Sequence, residues 1–361
     1  MVRPKKTIES LFRVENSEST RLDMLRLDKN ENIIGLEKEF VDLVKAKISS
    51  DFITTYPECF AIYKRIAKSL GVSQDMVYVT AGSDAAIKAA FEVFVSEGHE
   101  VVFPHPTYAM YYVYCEMFGG VARKIGYEND FSLSVKKIKD AINAKTALIC
   151  IANPNSPTGT IIERKELIDL ISYAKEKGVV VLVDEAYYPY YPHSIIDEVK
   201  NFDNLIVTRT FSKAYGLASA RLGFAVSDAK MTNLLKRVRP LYEVNSYAVM
   251  VGSLALDHPE VLARNLEMFE KGKRVLLAGL DKLGLKYYAG HANFVSIHMG
   301  SPERAVRAGQ ELYKQGVLVK SGFKDSPLQD CLRVSVGTPE QMTLFMQKFE
   351  KTLEAEPQKH S

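Results

Sequence analysis

The middle of the chain alternates short apolar runs of β-forming residues with longer segments whose apolar residues recur at helical spacing, and few folds accept such a pattern. Met76–Thr80, Glu100–Phe103, Ala147–Ala152, Val179–Val183, Leu205–Thr208 and Leu222–Val226 read as strands. Between them, Ser83–Glu97 sets Ile87, Ala90, Phe91 and Phe94 on one face. Arg164–Lys177 does the same with Leu167, Ile168, Leu170, Ile171 and Ala174, and Gly178 stands where a C-terminal cap belongs. Strands apolar on both faces and separated by helices predict an α/β fold with a mostly parallel sheet flanked by helices. From His258 the pattern changes to a long charged helix, Pro259–Leu283, and then to short strands and helices. This predicts a smaller α+β C-terminal domain. The expected division is an N-terminal arm over 1–40, a large domain over 41–256 and a small domain over 257–361, with Glu354–Ser361 frayed.

Composition narrows the function. Of 361 residues, 47% are hydrophobic and 25% charged, as in a globule with a sizeable core. The 47 basic and 44 acidic side chains leave a net charge of +3, which argues against nucleic-acid and membrane partners. Cys59, Cys115, Cys150 and Cys331 lie far apart, so they read as free thiols and no metal site is expected. Met1–Ser10 has no apolar run of the kind a signal peptide needs, and the longest apolar runs are too short to span a bilayer. The expectation is a soluble cytoplasmic protein.

Four segments at strand ends carry chemistry, because ligands of open α/β sheets bind at the carboxyl ends of strands. Thr80-Ala81-Gly82-Ser83-Asp84 joins a strand to a helix whose exposed amides would favour a phosphate; an ordinary helix cap reads the same way. Asn153-Pro154-Asn155-Ser156-Pro157-Thr158-Gly159 is a rigid turn after a strand. In Val183-Asp184-Glu185-Ala186-Tyr187 an apolar run stops at an acid, which needs a cation from the protein or from a ligand. Thr210-Phe211-Ser212-Lys213, with Arg221 beyond, gathers hydroxyls and cations into an anion site. A lysine among other cations has its pKa pulled down, which suits an amine that condenses with a carbonyl.

In this order, the four segments resemble the fold type I pyridoxal-phosphate enzymes, aminotransferase class I/II, and most closely their histidinol-phosphate aminotransferase branch. The resemblance runs from about Leu27 to Thr338. It implies that Lys213 holds the cofactor and moves protons, that Asp184 pairs with the pyridinium nitrogen, and that Tyr187 hydrogen-bonds the ring 3′-oxygen. Tyr108 would stack on the ring, and the phosphate would sit among Ser83, Asp84, Thr210, Ser212 and Arg221. Tyr56 would reach the phosphate of a neighbouring subunit, which implies a homodimer with shared active sites. Arg333, Asn32 and Lys320 would face small anionic substrates.

Departures from the family pattern cluster on the substrate side. Ser156 stands where asparagine usually precedes Pro-Thr-Gly, with Asn155 one place earlier. Lys320 replaces the arginine usual after Gly-Val-Leu, and a lysine lacks the bidentate fork. Ile33 replaces the proline usual after Asn-Glu-Asn, and Met1–Arg26 lacks a Pro-Tyr element. The resemblance implies transfer of an amino group, with L-glutamate as donor, to a small phosphorylated keto compound. A decarboxylase of threonine or serine phosphate would share the cofactor residues. A cofactor-sensing regulator would need a DNA-binding module that the chain has no room for.

Overall fold

The computed structural model describes residues 3–9, 11, 21–128, 130–324 and 326–355. The apolar runs assemble into one seven-stranded sheet. Its spatial order is Val77–Thr80, Gly223–Val226, Leu205–Thr210, Val180–Asp184, Thr146–Ala152, Glu100–His105 and Val121–Gly126. Six strands point one way, and Gly223–Val226 runs antiparallel to both of its neighbours. Alternate residues of one strand enter opposite layers, as the pleat requires. Val181 and Val183 pack with Ile62, Leu167 and Leu170 on one side, while Val180 and Leu182 pack with Ile87, Phe91 and Tyr111 on the other.

Observed strand ends differ from the expected ones by one or two residues, and one strand has no counterpart in the sequence reading. Val121–Gly126 is the sheet edge, mostly exposed, and carries Arg123 and Lys124. An edge strand needs no apolar run and is protected by such charges, so it lacks the signal that marks a buried strand.

A separate apolar cluster lies in the C-terminal part. There the helices Pro259–Lys282, Pro302–Lys314 and Pro339–Glu354 cover an antiparallel sheet of Tyr287–Tyr288, Phe294–His298 and Cys331–Ser335. Leu27 and Ile33 are buried in this cluster, and Leu25–Arg26 pairs in parallel with Val317–Leu318. The segment after residue 21 therefore packs with the C-terminal elements. Glu354 is the last residue of the final helix rather than part of a frayed end, because Phe349 and Leu353 in its closing turns pack into the apolar cluster. The remainder of that expected frayed end, 356–361, lies outside the described residues, as do 1–2, 10 and 12–20 of the arm. Among the described residues no helix is long and apolar enough to cross a membrane.

The parallel strands end at His105, Ala152, Asp184 and Thr210, and the loops that follow open onto one crevice. Packing at its floor is tight. A Cβ on Gly223 would lie 2.2 Å from the Ser83 nitrogen and 2.9 Å from the Arg209 carbonyl. Gly223→Ala should therefore lower the unfolding free energy by roughly 1–3 kcal/mol through overpacking. Urea unfolding checks this; an unchanged midpoint would mean that the strand and helix separate freely.

Candidate active site

A cavity of about 620 Å³ at the strand ends is lined by Ser83, Asp84, Tyr108, Asp184, Tyr187, Thr210, Ser212, Lys213, Arg221, Lys320 and Arg333. Eleven of the thirteen residues singled out in the sequence thus share one wall. At its floor, Gly82 with φ +83° turns the chain from Val77–Thr80 into the helix Ser83–Phe94. A Cβ there would fall 2.6 Å from an Arg221 nitrogen, so only glycine lets the guanidinium lie against the helix start. Arg221 donates to the Ser212 hydroxyl at 3.3 Å, and the Ser212 amide donates to Thr210 Oγ1 at 3.1 Å. Guanidinium, hydroxyls and free helix amides together form a cup for a phosphate. The Asp84 carboxylate is not part of it: its two oxygens accept from the Tyr108 phenol at 3.1 Å and the Tyr114 phenol at 2.7 Å. Only the backbone of Asp84 is left for the cup.

Asp184 ends the strand Val180–Asp184 and is 4% exposed. Its carboxylate accepts from the Thr208 hydroxyl at 2.7 Å and from the Ala186 amide rather than from a cation. Burial pushes its pKa up to about 7, and the charges of Asp84 and Glu185 add to the rise against those hydrogen bonds. The neighbouring Glu185 is satisfied by Arg209 at 2.8 Å, by Ser194 and by the Ile195 amide. The acid facing the cavity is therefore the one without a counter-ion.

Lys213 reaches in from the loop after Leu205–Thr210. Its Nζ donates to the carbonyls of Lys29 at 3.1 Å and Asn30 at 3.0 Å. Its pKa is lowered to about 8, by burial first and then by Arg333 and Arg221, with Glu31 and Asp184 opposing. The sequence reading assigned that shift to neighbouring cations; burial is the larger cause. Tyr187 is buried, and its hydroxyl accepts from Asn30 Nδ2 at 2.7 Å. Tyr108 forms a wall, its ring edge-on to Tyr111.

Arg333 lies on Cys331–Ser335 and faces the same space from the C-terminal elements. It donates to the Asp28 carbonyl at 2.8 Å and to Ser156 Oγ at 3.4 Å, its Nε has no partner, and Phe294 and Phe323 flank it. Burial holds its pKa below the usual guanidinium value. A buried guanidinium bonded to neutral oxygens is suited to an anion. Lys320 exchanges backbone hydrogen bonds with Arg333 and lines the cavity beside it. Ser156 lines the cavity, whereas Asn155 is consumed by Thr107, Pro106 and Thr158.

Two sequence-derived candidates lie elsewhere. Tyr56 is 70% exposed and stacks on Tyr242 with ring centroids 4.2 Å apart, in a surface groove outside the cavity. Asn32 donates to the Ala214 carbonyl and accepts from Ile34, so its amide supports the loop after Lys213 without lining the cavity. Its neighbour Asn30 does line it. The sequence reading missed Asn30, Asp28 and Phe323. An asparagine tolerates left-handed backbone, and that was the available signal for Asn30.

The model of the family described as aminotransferase class I and II matches residues 23–349. The histidinol-phosphate aminotransferase of Clostridium novyi is 33% identical over 345 residues, covering 92% of this chain and 95% of that protein. Histidinol-phosphate aminotransferase 2 of Carboxydothermus hydrogenoformans is 33% identical over 337 residues, 91% of each chain. The crystal structure of the Sinorhizobium meliloti histidinol-phosphate aminotransferase in complex with pyridoxal 5′-phosphate superposes with a TM-score of 0.89 at 21% identity, covering 98% of both chains.

The two shifted groups give opposite pH signatures in the ligand-free protein. Asp184 has its folded pKa raised from 3.8 to about 7, so its contribution is complete below 3.8 and is lost as pH rises to about 7. Lys213 has its folded pKa lowered from 10.5 to about 8, so its contribution is present above 10.5 and is lost as pH falls through about 8. Urea unfolding between pH 4 and pH 7 should show Asp184→Asn removing a loss of a few kcal/mol that the wild type suffers. Equal slopes in both proteins would contradict the isolation of that carboxylate.

Proposed function

Since the chain belongs to the aminotransferase class I and II family and is a pyridoxal 5′-phosphate-dependent transaminase, we propose that it moves an amino group from L-glutamate to a small phosphorylated keto compound of the imidazole acetol phosphate type. One observation carries this reading. Lys213 stands with a lowered pKa in a cavity that holds a carboxylate, Asp184, and a guanidinium, Arg333, neither of which has an ion-pair partner among the described residues. The names of the relatives, histidinol-phosphate aminotransferases, support the choice of acceptor.

The cavity fits the cofactor. Asp184 would pair with the ring nitrogen and Tyr187 would hydrogen-bond the ring oxygen. Tyr108 would lie on the ring face. Ser83, Thr210, Ser212, Arg221 and the Asp84 amide would hold the phosphate. When bound, pyridoxal 5′-phosphate supplies an aldehyde that captures amines and a cationic ring that draws electrons from the bonds at the amino carbon. Lys213 is the amine that would hold the aldehyde, and its Nζ, when free, would take and return the donor's α-proton, a task suited to an amine that titrates at about 8. Arg333 and Lys320 bind the anionic end of the substrate, and Asn32 supports the loop that bears Lys213.

The same reading includes a cytoplasmic homodimer. Ile53, Tyr56, Phe60 and Leu241 are exposed, at 72%, 70%, 71% and 84%, and a second copy would cover them. Tyr56, outside its own cavity, would then reach the phosphate of the partner copy. The division into an arm over 1–40, a large domain over 41–256 and a small domain over 257–361 belongs to this proposal as well.

The test is a half-reaction. L-glutamate added alone to the cofactor-loaded protein should abolish its visible absorbance band and release 2-oxoglutarate in amounts equal to the sites. Carbon dioxide release from threonine phosphate, without 2-oxoglutarate from glutamate, would carry the decarboxylase alternative instead. Lys213→Ala should remain folded without turnover. Arg333→Ala should raise the KM of the anionic substrate about 10- to 100-fold, with cofactor affinity nearly unchanged. Equal losses of both would argue against the role given to Arg333.

A further inference from the structure

Asn30 is the point at which the segment after residue 21, the sheet and the C-terminal elements meet. It is 3% exposed and adopts φ +54°, a left-handed conformation rare outside glycine but accessible to asparagine. Its amide donates to Ser335 Oγ at 3.1 Å, and its carbonyl accepts from Lys213 Nζ at 3.0 Å and from Asn293 Nδ2 at 3.1 Å. Its side-chain Nδ2 donates to the Tyr187 hydroxyl at 2.7 Å. The residue thus touches both Lys213, the proposed proton carrier, and Tyr187, the proposed partner of the ring oxygen.

The direction of the bond to Tyr187 matters. A phenol has one hydrogen to give. With its oxygen already accepting from Asn30, that hydrogen turns away from Asn30, toward the cavity that both residues line. We propose that Asn30 is a positioning residue for transamination: its side-chain amide fixes Tyr187 as a hydrogen-bond donor into the cavity, while its backbone carbonyl, with that of Lys29, seats the free Lys213 ammonium. This rests on the functional reading above, in which Tyr187 serves the cofactor's ring oxygen. An acid at this place would reverse the arrangement, because an ionised carboxylate only accepts and would draw the phenolic hydrogen out of the cavity.

Two variants separate the side chain from the backbone. Asn30→Gly keeps the left-handed backbone and its carbonyl but removes the amide. Asn30→Asp keeps the shape and replaces a donor with an acceptor. Each is loaded with pyridoxal 5′-phosphate, and the visible band is titrated with pH. Loss of a donor to an anionic ring oxygen raises the proton affinity of the cofactor–lysine unit, so the midpoint should rise by about one pH unit in both variants. The glutamate half-reaction should slow at least about tenfold, with KM within about threefold of wild type. The thermal midpoint of Asn30→Gly should stay within about 5 °C.

An unchanged midpoint and rate in Asn30→Asp would overturn the proposal, since the donor would then be dispensable. A loss of rate that follows thermal stability in both variants, with no shift of the midpoint, would overturn it too and reduce Asn30 to a structural part. Wild-type protein that neither acquires a visible band nor reacts with glutamate would overturn the functional reading along with it. A reactive wild type with indifferent variants would overturn the role of Asn30 alone.

Discussion

The site is organised by a carboxylate placed where water cannot solvate it and no cation among the described residues pairs with it. Two acids follow each other at the end of Val180–Asp184, and the pleat sends them to opposite sides. Glu185 meets Arg209, whose guanidinium lies 3.5 Å above the Tyr188 ring, together with the Ser194 hydroxyl and the Ile195 amide. Such a pair is complete within the fold. Asp184 receives a hydroxyl and an amide, enough to orient it but not to offset its desolvation. The same strand therefore holds a structural charge and a charge whose partner must come from outside.

The other polar groups of the cavity follow the same logic. Arg333 is buried with neutral oxygens around it, and Lys213 is buried with two carbonyls. Each would be an error in a core built for stability alone, because breaking a polar pair in a dry interior costs more than an apolar substitute. Asp184 ends one strand of the seven-stranded sheet and Lys213 lies on the loop after another, whereas Arg333 comes from the C-terminal sheet and the carbonyls come from the segment after residue 21. A ligand with a cationic ring and an anionic end would neutralise Asp184 and Arg333 and hold these parts of the chain together.

Much of this was legible in the sequence, for reasons specific to each residue. Asp184 is visible because an apolar run stops abruptly at an acid, and Lys213 because hydroxyls and Arg221 crowd it within a few positions. The sheet was legible where strands are buried on both faces, and was missed at Val121–Gly126, where an edge strand displays charges. Asp84 lines the cavity, but which way its carboxylate turns depends on Tyr108 and Tyr114, two phenols more than twenty residues away. The asparagines of Asn30-Glu31-Asn32 are indistinguishable in sequence, since the positive φ that turns one of them inward arises from packing against Ser335 and Asn293.

That last case shows why the substrate side is harder to read than the cofactor side. The proposed cofactor contacts come from short segments at strand ends, where sequence neighbours remain spatial neighbours. The proposed substrate side joins three segments, Asp28 and Asn30, Ser156, and Lys320, Phe323 and Arg333, which are more than a hundred positions apart and are brought together only by packing. Ser156 illustrates the consequence. A serine hydroxyl beside Arg333 offers one hydrogen where an asparagine amide would offer two, so it cannot donate to a ring oxygen and to another acceptor at once. Where that one hydrogen is spent on another acceptor, the proposed hydrogen bond to the ring oxygen rests on Tyr187, and the direction of its one hydrogen becomes decisive.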